Sequence, residues 1–318
     1  MKVITVTLNP SFERTFVVQY LAVGYHNPAR ETTRLDPVGR GVNISRALFA
    51  LNARTEAIVL LGTDATGIAY QALIEKEHFP VRLITASGQT RSNVVIWDAG
   101  NQTETVLSED NAGFTAEEVH QVGERLVQAI EPGDYVVFAG PLPQGVSDQV
   151  YVQLIERSHS SGAEIVLDLP SEALHVTLMA RPSIVFLTQV ETEKYFNYPV
   201  RTPEDVAYCA QRLCQQGAQQ ALIMLSDNNG ALLAAHTEVV LFRFPELEAT
   251  GTQSGAIAAM IAGFLAGRLQ EKPIKDAVHI GAAAAHYARQ QIGNEFLASV
   301  DLSEYASEII VEPVTLPD

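Results

Sequence analysis

Cysteine is almost absent from this sequence, which limits the redox and metal chemistry that the chain can carry. The 318 residues include only two cysteines, Cys209 and Cys214. Their spacing matches neither a C-x-x-C redox pair nor a zinc-ligand pattern. We expect both to be free thiols, buried or half-buried. Residue spacing predicts no metal site.

Basic residues and long apolar runs are also scarce. There are 21 Lys and Arg residues against 37 Asp and Glu residues, a formal net charge of −16. Such a chain repels phosphate backbones and anionic membranes, which excludes nucleic acid and membrane as principal partners. No run approaches the roughly 18 apolar residues of a membrane span, and Met1–Leu8 lacks the apolar core of a signal peptide. We therefore expect a cytoplasmic protein.

The sequence does contain short apolar runs bounded by turn residues, which are typical of strands buried on both faces. The runs are Val3–Leu8, Ala57–Leu61, Tyr135–Ala139, Ile165–Leu167, Ile184–Leu187 and Ala221–Leu225. Helical patterns lie between them, with a capping box at Thr115–Glu118 and an N-cap at Thr202 followed by Pro203. This alternation predicts an α/β fold with a mainly parallel sheet between two layers of helices.

Two segments, residues 14–37 and 91–109, interrupt the alternation. Both contain short β-like stretches of mixed polarity without a crossover helix, which predicts a small β-sheet lid. No repeat or long linker divides the chain, so residues 1–318 are predicted to form a single domain. Because lid strands with an apolar face commonly pair across a two-fold axis, we also expect a homodimer through the lid.

A glycine-rich turn at Pro37–Leu48 leads into a helix whose free N–H groups suit an anion or sugar hydroxyls. By spacing alone, a tight turn without a ligand explains the pattern at least as well. The turn is neither a Walker loop nor a dinucleotide fingerprint. A Rossmann-type oxidoreductase is therefore excluded.

Together with this turn, motifs along essentially the whole chain resemble those of the PfkB carbohydrate kinases, a branch of the ribokinase-like superfamily. They are Thr5–Thr15, Gly62–Gly67, Thr90–Val94, Ala139–Val146 and Val166–Asp168. The resemblance points to the phosphofructokinase and tagatose-6-phosphate kinase subgroup. It implies a ribokinase-like three-layer α/β/α fold and ATP-dependent phosphorylation of a fructose or tagatose phosphate, with ATP and Mg²⁺ as cofactors if the chain is active and none otherwise.

The resemblance also assigns the substrate side of the site. It implies that Arg91 pairs with the substrate phosphate and that Glu13, Gly39 and Asn43 face the sugar, with Gly140 beside them. Glu13 replaces an aspartate and moves the carboxylate outward by one methylene. A solvated arginine in the lid is the alternative explanation of Arg91.

On the nucleotide side the resemblance is weaker. The family's Asn-x-x-Glu motif, which organises water around Mg²⁺, aligns with Gln189–Thr192, so the carboxylate is expected to be missing from its position, with Glu191 one residue away. The glycine-rich strand end that cradles ATP aligns with Leu225–Gly230, where an acid adds charge beside the phosphates. The candidate nucleotide and Mg²⁺ positions are Gln189, Glu191, Asp227 and Gly230.

The family's catalytic signature, Gly-Ala-Gly-Asp-Ser-Met-Val-Ala-Gly-Phe, aligns without a gap with Gly255–Phe264. Ala258 then stands in place of the catalytic aspartate, and Ile257 in place of an anion-hole glycine two residues after Gly255. Alanine cannot accept the proton of the attacking hydroxyl, and isoleucine crowds an amide that should meet the phosphoryl group. A second register at Ala249–Ser254 supplies no aspartate either.

Two functions therefore remain open. The first is a pseudokinase that binds a sugar phosphate and phosphorylates it weakly or not at all. The second is an active ATP-dependent sugar kinase with a relocated base, for which Asp168 and Glu248 are the candidates. The number of altered nucleotide-side positions favours the first.

Overall fold

The computed structural model describes residues 1–29, 34–110, 113–226, 230–235, 238–245, 253–291, 296 and 300–314. Two residues singled out in the sequence, Asp227 and Glu248, lie outside these ranges. The strands are β1 (Val3–Thr7), β2 (Ser11–Val18), β3 (Arg34–Val38), β4 (Thr55–Gly62), β5 (Val81–Ala86), β6 (Arg91–Asp98), β7 (Thr103–Ser108), β8 (Tyr135–Ala139), β9 (Glu164–Asp168), β10 (Ile184–Thr188), β11 (Gln220–Met224), β12 (Gly230–Ala235), β13 (Glu238–Arg243) and β14 (Ile310–Pro313). The helices are α1 (Arg40–Ala50), α2 (Ala65–Ile74), α3 (Ala116–Ala129), α4 (Gln149–Ser160), α5 (Ser171–Thr177), α6 (Gln189–Phe196), α7 (Pro203–Gln216), α8 (Gln253–Leu269), α9 (Ile274–Ala288) and α10 (Ser303–Ser307).

A ten-stranded sheet in the order β14-β13-β12-β11-β10-β9-β8-β1-β4-β5 forms the centre of the fold. From β5 to β11 every neighbouring pair is parallel, which confirms the predicted mainly parallel sheet. The remaining strands, β12, β13 and β14, extend one edge in antiparallel order. The sequence analysis did not find this extension, because the alanine-rich β12 has little β propensity.

Helices cover both faces of this sheet and account for its apolar strands. On one face α3, α4 and α7 contribute core residues such as Val122, Leu154 and Leu213. On the other face α1, α8 and α9 do the same through residues such as Leu48 and Ile261. Strands that are buried on both sides have no polar face, so their sequences are continuously apolar.

A second, four-stranded sheet has the order β3-β2-β6-β7. It confirms the predicted small sheet, although β2 begins at Ser11, three residues before the predicted segment. In this sheet β2 and β6 are parallel, with Ser11 opposite Arg91 and Glu13 opposite Asn93. On its other side β2 is antiparallel to β3, which places Asp36 opposite Glu13. These pairings bring Asp36, Arg91 and Asn93 of the two predicted segments beside Ser11 and Glu13, which precede the first segment.

Local signals in the sequence are confirmed as well. The Thr115 hydroxyl accepts from the Glu118 amide at 3.2 Å, and the Glu118 carboxylate accepts from the Thr115 amide at 2.8 Å, so the capping box is present. Cys209 is buried and Cys214 half-buried, both as free thiols. Within the described ranges, none of the helices has the length and apolar character that crossing a membrane would require.

Candidate active site

The small sheet lies beside the carboxyl ends of the central strands, where α1 also begins. The Asn9 amide, just after β1, donates to the Leu142 carbonyl at 3.1 Å. After β8, the Gly140 N–H donates to the Asp168 carbonyl at 2.8 Å, which ties the ends of β8 and β9 together. Ligands of open parallel sheets bind at this edge.

Arg91 is the first residue of β6 and is half-buried at this edge. Its Nε is buried and has no hydrogen-bond partner. Burial lowers the pKa of the guanidinium, and nearby Arg40 lowers it further, although Glu13 acts in the opposite direction. An unsatisfied buried donor is costly. Arg91 is therefore suited to an incoming anion, which gives it charge-assisted hydrogen bonds.

Glu13 is the third residue of β2 and lies between Asp36 on β3 and Asn93 on β6. Burial and then the charge of Asp36 raise its pKa to about 7, although a hydrogen bond from Asn93 opposes the shift. The carboxyl group therefore changes charge near neutral pH. Asp36 and Asn93 are two neighbours of the site that the sequence analysis missed, although both lie in the segments assigned to the lid.

The glycine-rich turn packs tightly against β1. A Cβ on Gly39 would lie 2.5 Å from the Thr7 Cγ2, so only glycine fits there. Asn43, in the first turns of α1, accepts from the Arg46 Nη1 at 3.1 Å. Gly39 thus has a packing reason in addition to the proposed contact with a sugar.

Arg40, the first residue of α1, forms an ion pair that the sequence analysis missed. Its Nη1 donates to the Asp168 Oδ1 at 2.8 Å. The carboxylate raises the pKa of Arg40. Burial raises the pKa of Asp168, although Arg40 opposes that shift. The sequence offers a signal, because Arg40 is a basic residue within the glycine-rich turn at Pro37–Leu48.

The region after β10 contains Glu191, one residue before the position that the motif assigns to a carboxylate. Thr192, which aligned with the acidic position, is fully buried and donates to the Thr188 carbonyl at 2.8 Å. Glu191 instead lies close enough to Arg40 and Asp168 to raise the pKa of both. Thr188 is the N-cap of α6, and its hydroxyl accepts from the Glu191 amide at 3.1 Å, which holds Glu191 in the first turn of the helix.

Gln189 and Gly230 have structural roles at this edge. The Gln189 Nε2 donates to the Val200 carbonyl at 2.7 Å, and its Oε1 accepts from the Ser226 amide at 2.8 Å. Both ends of the side-chain amide are therefore used within the protein. A Cβ on Gly230 would lie 2.2 Å from the Phe242 carbonyl oxygen, so the pairing of β12 with β13 requires glycine there.

From Gly255 to Phe264 the sequence of α8 is apolar. Ala258 is 7% exposed and belongs to a hydrophobic cluster with Ile44 and Met260, and Ile257 packs against the same cluster. Gly255 is half-buried. The sequence of α8 contains neither aspartate nor glutamate. The helix that should carry the base therefore offers no carboxylate to a substrate hydroxyl.

Comparison with known proteins agrees with this architecture. The sequence model of the pfkB family carbohydrate kinases matches residues 13–299. A 1-phosphofructokinase of Bacillus subtilis is 27% identical over 299 residues, which cover 92% of this chain and 94% of the relative. The ATP-dependent 6-phosphofructokinase isozyme 2 of Escherichia coli is 26% identical over 306 residues, covering 95% of this chain and 96% of that protein.

Solved structures show the same fold. Phosphofructokinase-2 from Escherichia coli, in complex with substrates and products, superposes with a TM-score of 0.88 at 24% identity, covering 96% of this chain and 99% of that one. A possible 1-phosphofructokinase from Thermotoga maritima has a TM-score of 0.88 at 21% identity, covering 99% and 100%. With the family match extending over most of its length, the chain belongs to the pfkB family of carbohydrate kinases.

Proposed function

We propose that this chain binds a phosphorylated ketohexose between the small sheet and the carboxyl ends of the central strands, and phosphorylates it very slowly or not at all. The observation that carries the proposal is the apolar packing of Ala258 at the position of the family's catalytic base. The substrate-side motifs keep residues that can bind a sugar phosphate. In this proposal, the chain can therefore bind its ligand without transferring a phosphoryl group to it.

The substrate side supports ligand binding. Arg91 offers a buried donor without a partner, which suits a phosphate. Glu13, Asn43 and Gly39 lie on the same side of the cleft and would meet sugar hydroxyls. The relatives are named for fructose phosphates, so fructose 1-phosphate and fructose 6-phosphate are the first ligands to test, followed by tagatose 6-phosphate.

The transfer side argues against an efficient kinase. If transfer persists, ATP would be the donor, and Asp168 is the described acid nearest to replacing the base. Its carboxylate already accepts from Arg40 at 2.8 Å and is 6% exposed. Arg40 opposes the rise in the pKa of Asp168 that burial causes, so the ion pair weakens this carboxylate as a proton acceptor. An active kinase with a relocated base is therefore the less favoured function.

We further propose that the small sheet mediates a homodimer. Leu107 and Val106 on β7 are 60% and 47% exposed, and Leu35 on β3 is 40% exposed. Apolar residues on edge strands invite pairing with a second copy. Light scattering at micromolar concentration should give twice the mass of one chain, and a monomer would contradict this proposal.

Calorimetry and a kinase assay on the same protein test the main proposal. Each fructose phosphate is titrated by calorimetry with and without ATP. ADP release is followed in the kinase assay, with the Bacillus subtilis relative as the positive control. Saturable binding of a sugar phosphate with little ADP release supports the proposal. Ordinary kinase turnover, or absence of binding by every sugar phosphate tested, contradicts it.

A further inference from the structure

One face of the small sheet, which we call its inner face, carries several polar residues side by side. In the parallel register of β2 and β6, Ser11 lies beside Arg91 and Glu13 beside Asn93, and Thr15 follows on β2. Side chains two residues apart on a strand point to the same side of the sheet. The inner face therefore holds Ser11, Glu13 and Thr15 from β2 together with Arg91 and Asn93 from β6.

The inner face is turned toward the start of α1. Arg40 at the start of this helix acts electrostatically on Arg91, and Arg46 further along acts on Glu13. Arg14, which points to the opposite face of β2, is exposed. A ligand bound between the small sheet and the carboxyl ends of the central strands would thus contact the inner face.

The unpaired atoms of the inner face differ in kind from one end to the other. At Arg91 a donor, the Nε, has no hydrogen-bond partner, whereas at Asn93 it is an acceptor, the Oδ1. Asn93 is only 9% exposed. Its amide nitrogen donates to the Ser11 hydroxyl at 3.1 Å, and a hydrogen bond from Asn93 also reaches Glu13, so the amide oxygen is the end left over. Since an unpaired buried acceptor is costly, a ligand at Asn93 has to supply a donor.

The electrostatic potential at Glu13 is negative. Asp36 on β3 and Glu104 on β7 both raise the pKa of Glu13, and each of these effects is larger than the opposing effect of Arg46. The acids therefore outweigh the base at this point of the inner face, and a cation would be favoured there.

The arginines beside these acids are already engaged. The Arg46 Nη2 donates to Glu77 at 2.6 Å, and the Arg34 Nε donates to Asp36 at 2.6 Å. Neutral hydroxyls would leave the negative potential at Glu13 in place. A positively charged group on the ligand would balance it.

We propose that the cleft selects a sugar phosphate that carries an amino group, with the ammonium between Glu13 and Asn93 and the phosphate at Arg91. This inference rests on the proposed function and narrows its substrate class. An ammonium has three donors for the carboxylate and the amide oxygen, whereas a hydroxyl has one. Arg91 and Asn93 are about 7 Å apart along β6, a separation comparable to that between the phosphate of a hexose 6-phosphate and a substituent across the ring.

A matched pair of ligands tests the role of the charge. In 1-amino-1-deoxyfructose 6-phosphate an ammonium replaces one hydroxyl of fructose 6-phosphate. By calorimetry at pH 7.5, wild type should bind the amine at least about tenfold more tightly, some 1.4 kcal/mol. Glu13→Gln keeps the size of the side chain and removes its charge, so the two ligands should then bind within about twofold of each other. The exposed Glu156→Gln is the control and should keep the preference.

Proton release provides a readout that a purely structural role of Glu13 would not change. Its pKa is about 7 before the ligand binds, and a bound ammonium favours the ionised form. At pH 7 the amine should therefore release about half a proton more than fructose 6-phosphate does. Calorimetry in two buffers of different ionisation enthalpy measures this difference, which should vanish in Glu13→Gln.

The outcomes separate this inference from the proposed function. If wild type binds fructose 6-phosphate as tightly as the amine, or if folded Glu13→Gln keeps the preference, the inference is wrong while the proposed function stands. If neither compound binds, both fail together. Should Glu13→Gln not fold, the two ligands and their proton release on wild type still decide.

Discussion

The two walls of the cleft have opposite chemistry. The wall formed by the small sheet and the start of α1 holds polar and charged groups, among them Arg91, Glu13 and Arg40, several of them poorly solvated. We assign the second wall to α8, where Ile257 and Ala258 pack into a hydrophobic cluster. The same fold thus holds partly buried charged groups in one region and an apolar helix in the other. Fold and chemistry are separate properties of the chain.

The fold tolerates this difference because α8 is held by close packing rather than by its catalytic positions. A Cβ on Gly263 would lie 2.8 Å from the Gly281 Cα, so α8 and α9 touch through their backbones. Ala258 fills its place in the cluster without leaving a buried polar group unsatisfied. The packing of Ala258 therefore meets the requirements of stability, which are separate from those of activity.

The largest expected effect is on turnover. With ATP, Mg²⁺ and a fructose phosphate, the wild-type rate should lie at least ~10³-fold below the ~1–100 s⁻¹ of ordinary kinases, because both base and anion hole are altered. Ala258→Asp alone should raise the rate of ADP release only slightly. The triple variant Ile257→Gly, Ala258→Asp, Asp227→Gly should release more ADP than either wild type or the single variant.

If the unmodified protein released ADP at an ordinary kinase rate, the proposal that α8 cannot support transfer would be wrong. In that case Asp168→Asn and Glu248→Gln would identify the substitute base, since each removes one candidate carboxylate while keeping its size. Equal rates for wild type and the triple variant, with folding intact, would show that positions beyond α8 limit transfer.

The next largest effect concerns the polar wall. Arg91→Met should weaken binding of the sugar phosphate by ~2–5 kcal/mol, because it removes a charge that is paired with phosphate in a closed site. Calorimetry of wild type and variant measures the difference. Arg14→Met is the control, because Arg14 lies on the neighbouring strand but is exposed and stacks over Phe16. Equal affinities of wild type and Arg91→Met would remove Arg91 from the site.

Much of the fold was predictable because strands buried on both faces have a simple pattern. The apolar runs from Val3–Leu8 to Ala221–Leu225 all became strands of the central sheet. By contrast, β12 is rich in alanine, and β14 is short and half-polar, so neither has a pattern that separates it from a helix or a loop. Edge strands are defined by their pairing partners, which local sequence does not show.

For the site, motifs located single residues but not their partners. Arg91 lies at the cleft-side end of a small-sheet strand, whereas its assigned contact with phosphate stays a prediction. The ion pair between Arg40 and Asp168 joins residues 128 positions apart. It depends on how α1 sits across the ends of β8 and β9, which is a property of tertiary packing. The proximity of Glu191 to Arg40 and Asp168 depends likewise on the helix cap at Thr188, which the letters of the motif do not show.

A smaller effect should follow from the charge state of Glu13. Its pKa of about 7 in the folded protein exceeds the ordinary value of 4.5, so ionisation destabilises the folded state progressively as pH rises from about 4.5 to 7. Glu13→Gln should therefore stabilise the protein at pH 8 by at most about 3 kcal/mol and much less at pH 5. Urea unfolding at both pH values measures this. The exposed Glu156→Gln is the control, and an equal effect of Glu13→Gln at both pH values would contradict the assignment.

The smallest expected effect concerns a buried hydrogen bond at the end of β8. Tyr151 on α4 is fully buried, and its hydroxyl donates to the Gly140 carbonyl at 2.9 Å. Tyr151→Phe removes this donor while the edge-on contact with Phe138 can remain, so the protein should lose about 1–2 kcal/mol of stability in urea unfolding.

Affinity for the sugar phosphate should not change, because the Gly140 N–H still donates to the Asp168 carbonyl and holds the turn after β8 in place. Thr115→Ala, which removes a surface helix cap, is a control of similar size. If Tyr151→Phe weakened the ligand instead, the position of the Gly140 carbonyl would matter for binding, and the polar wall would extend beyond the small sheet and α1 to the end of β8.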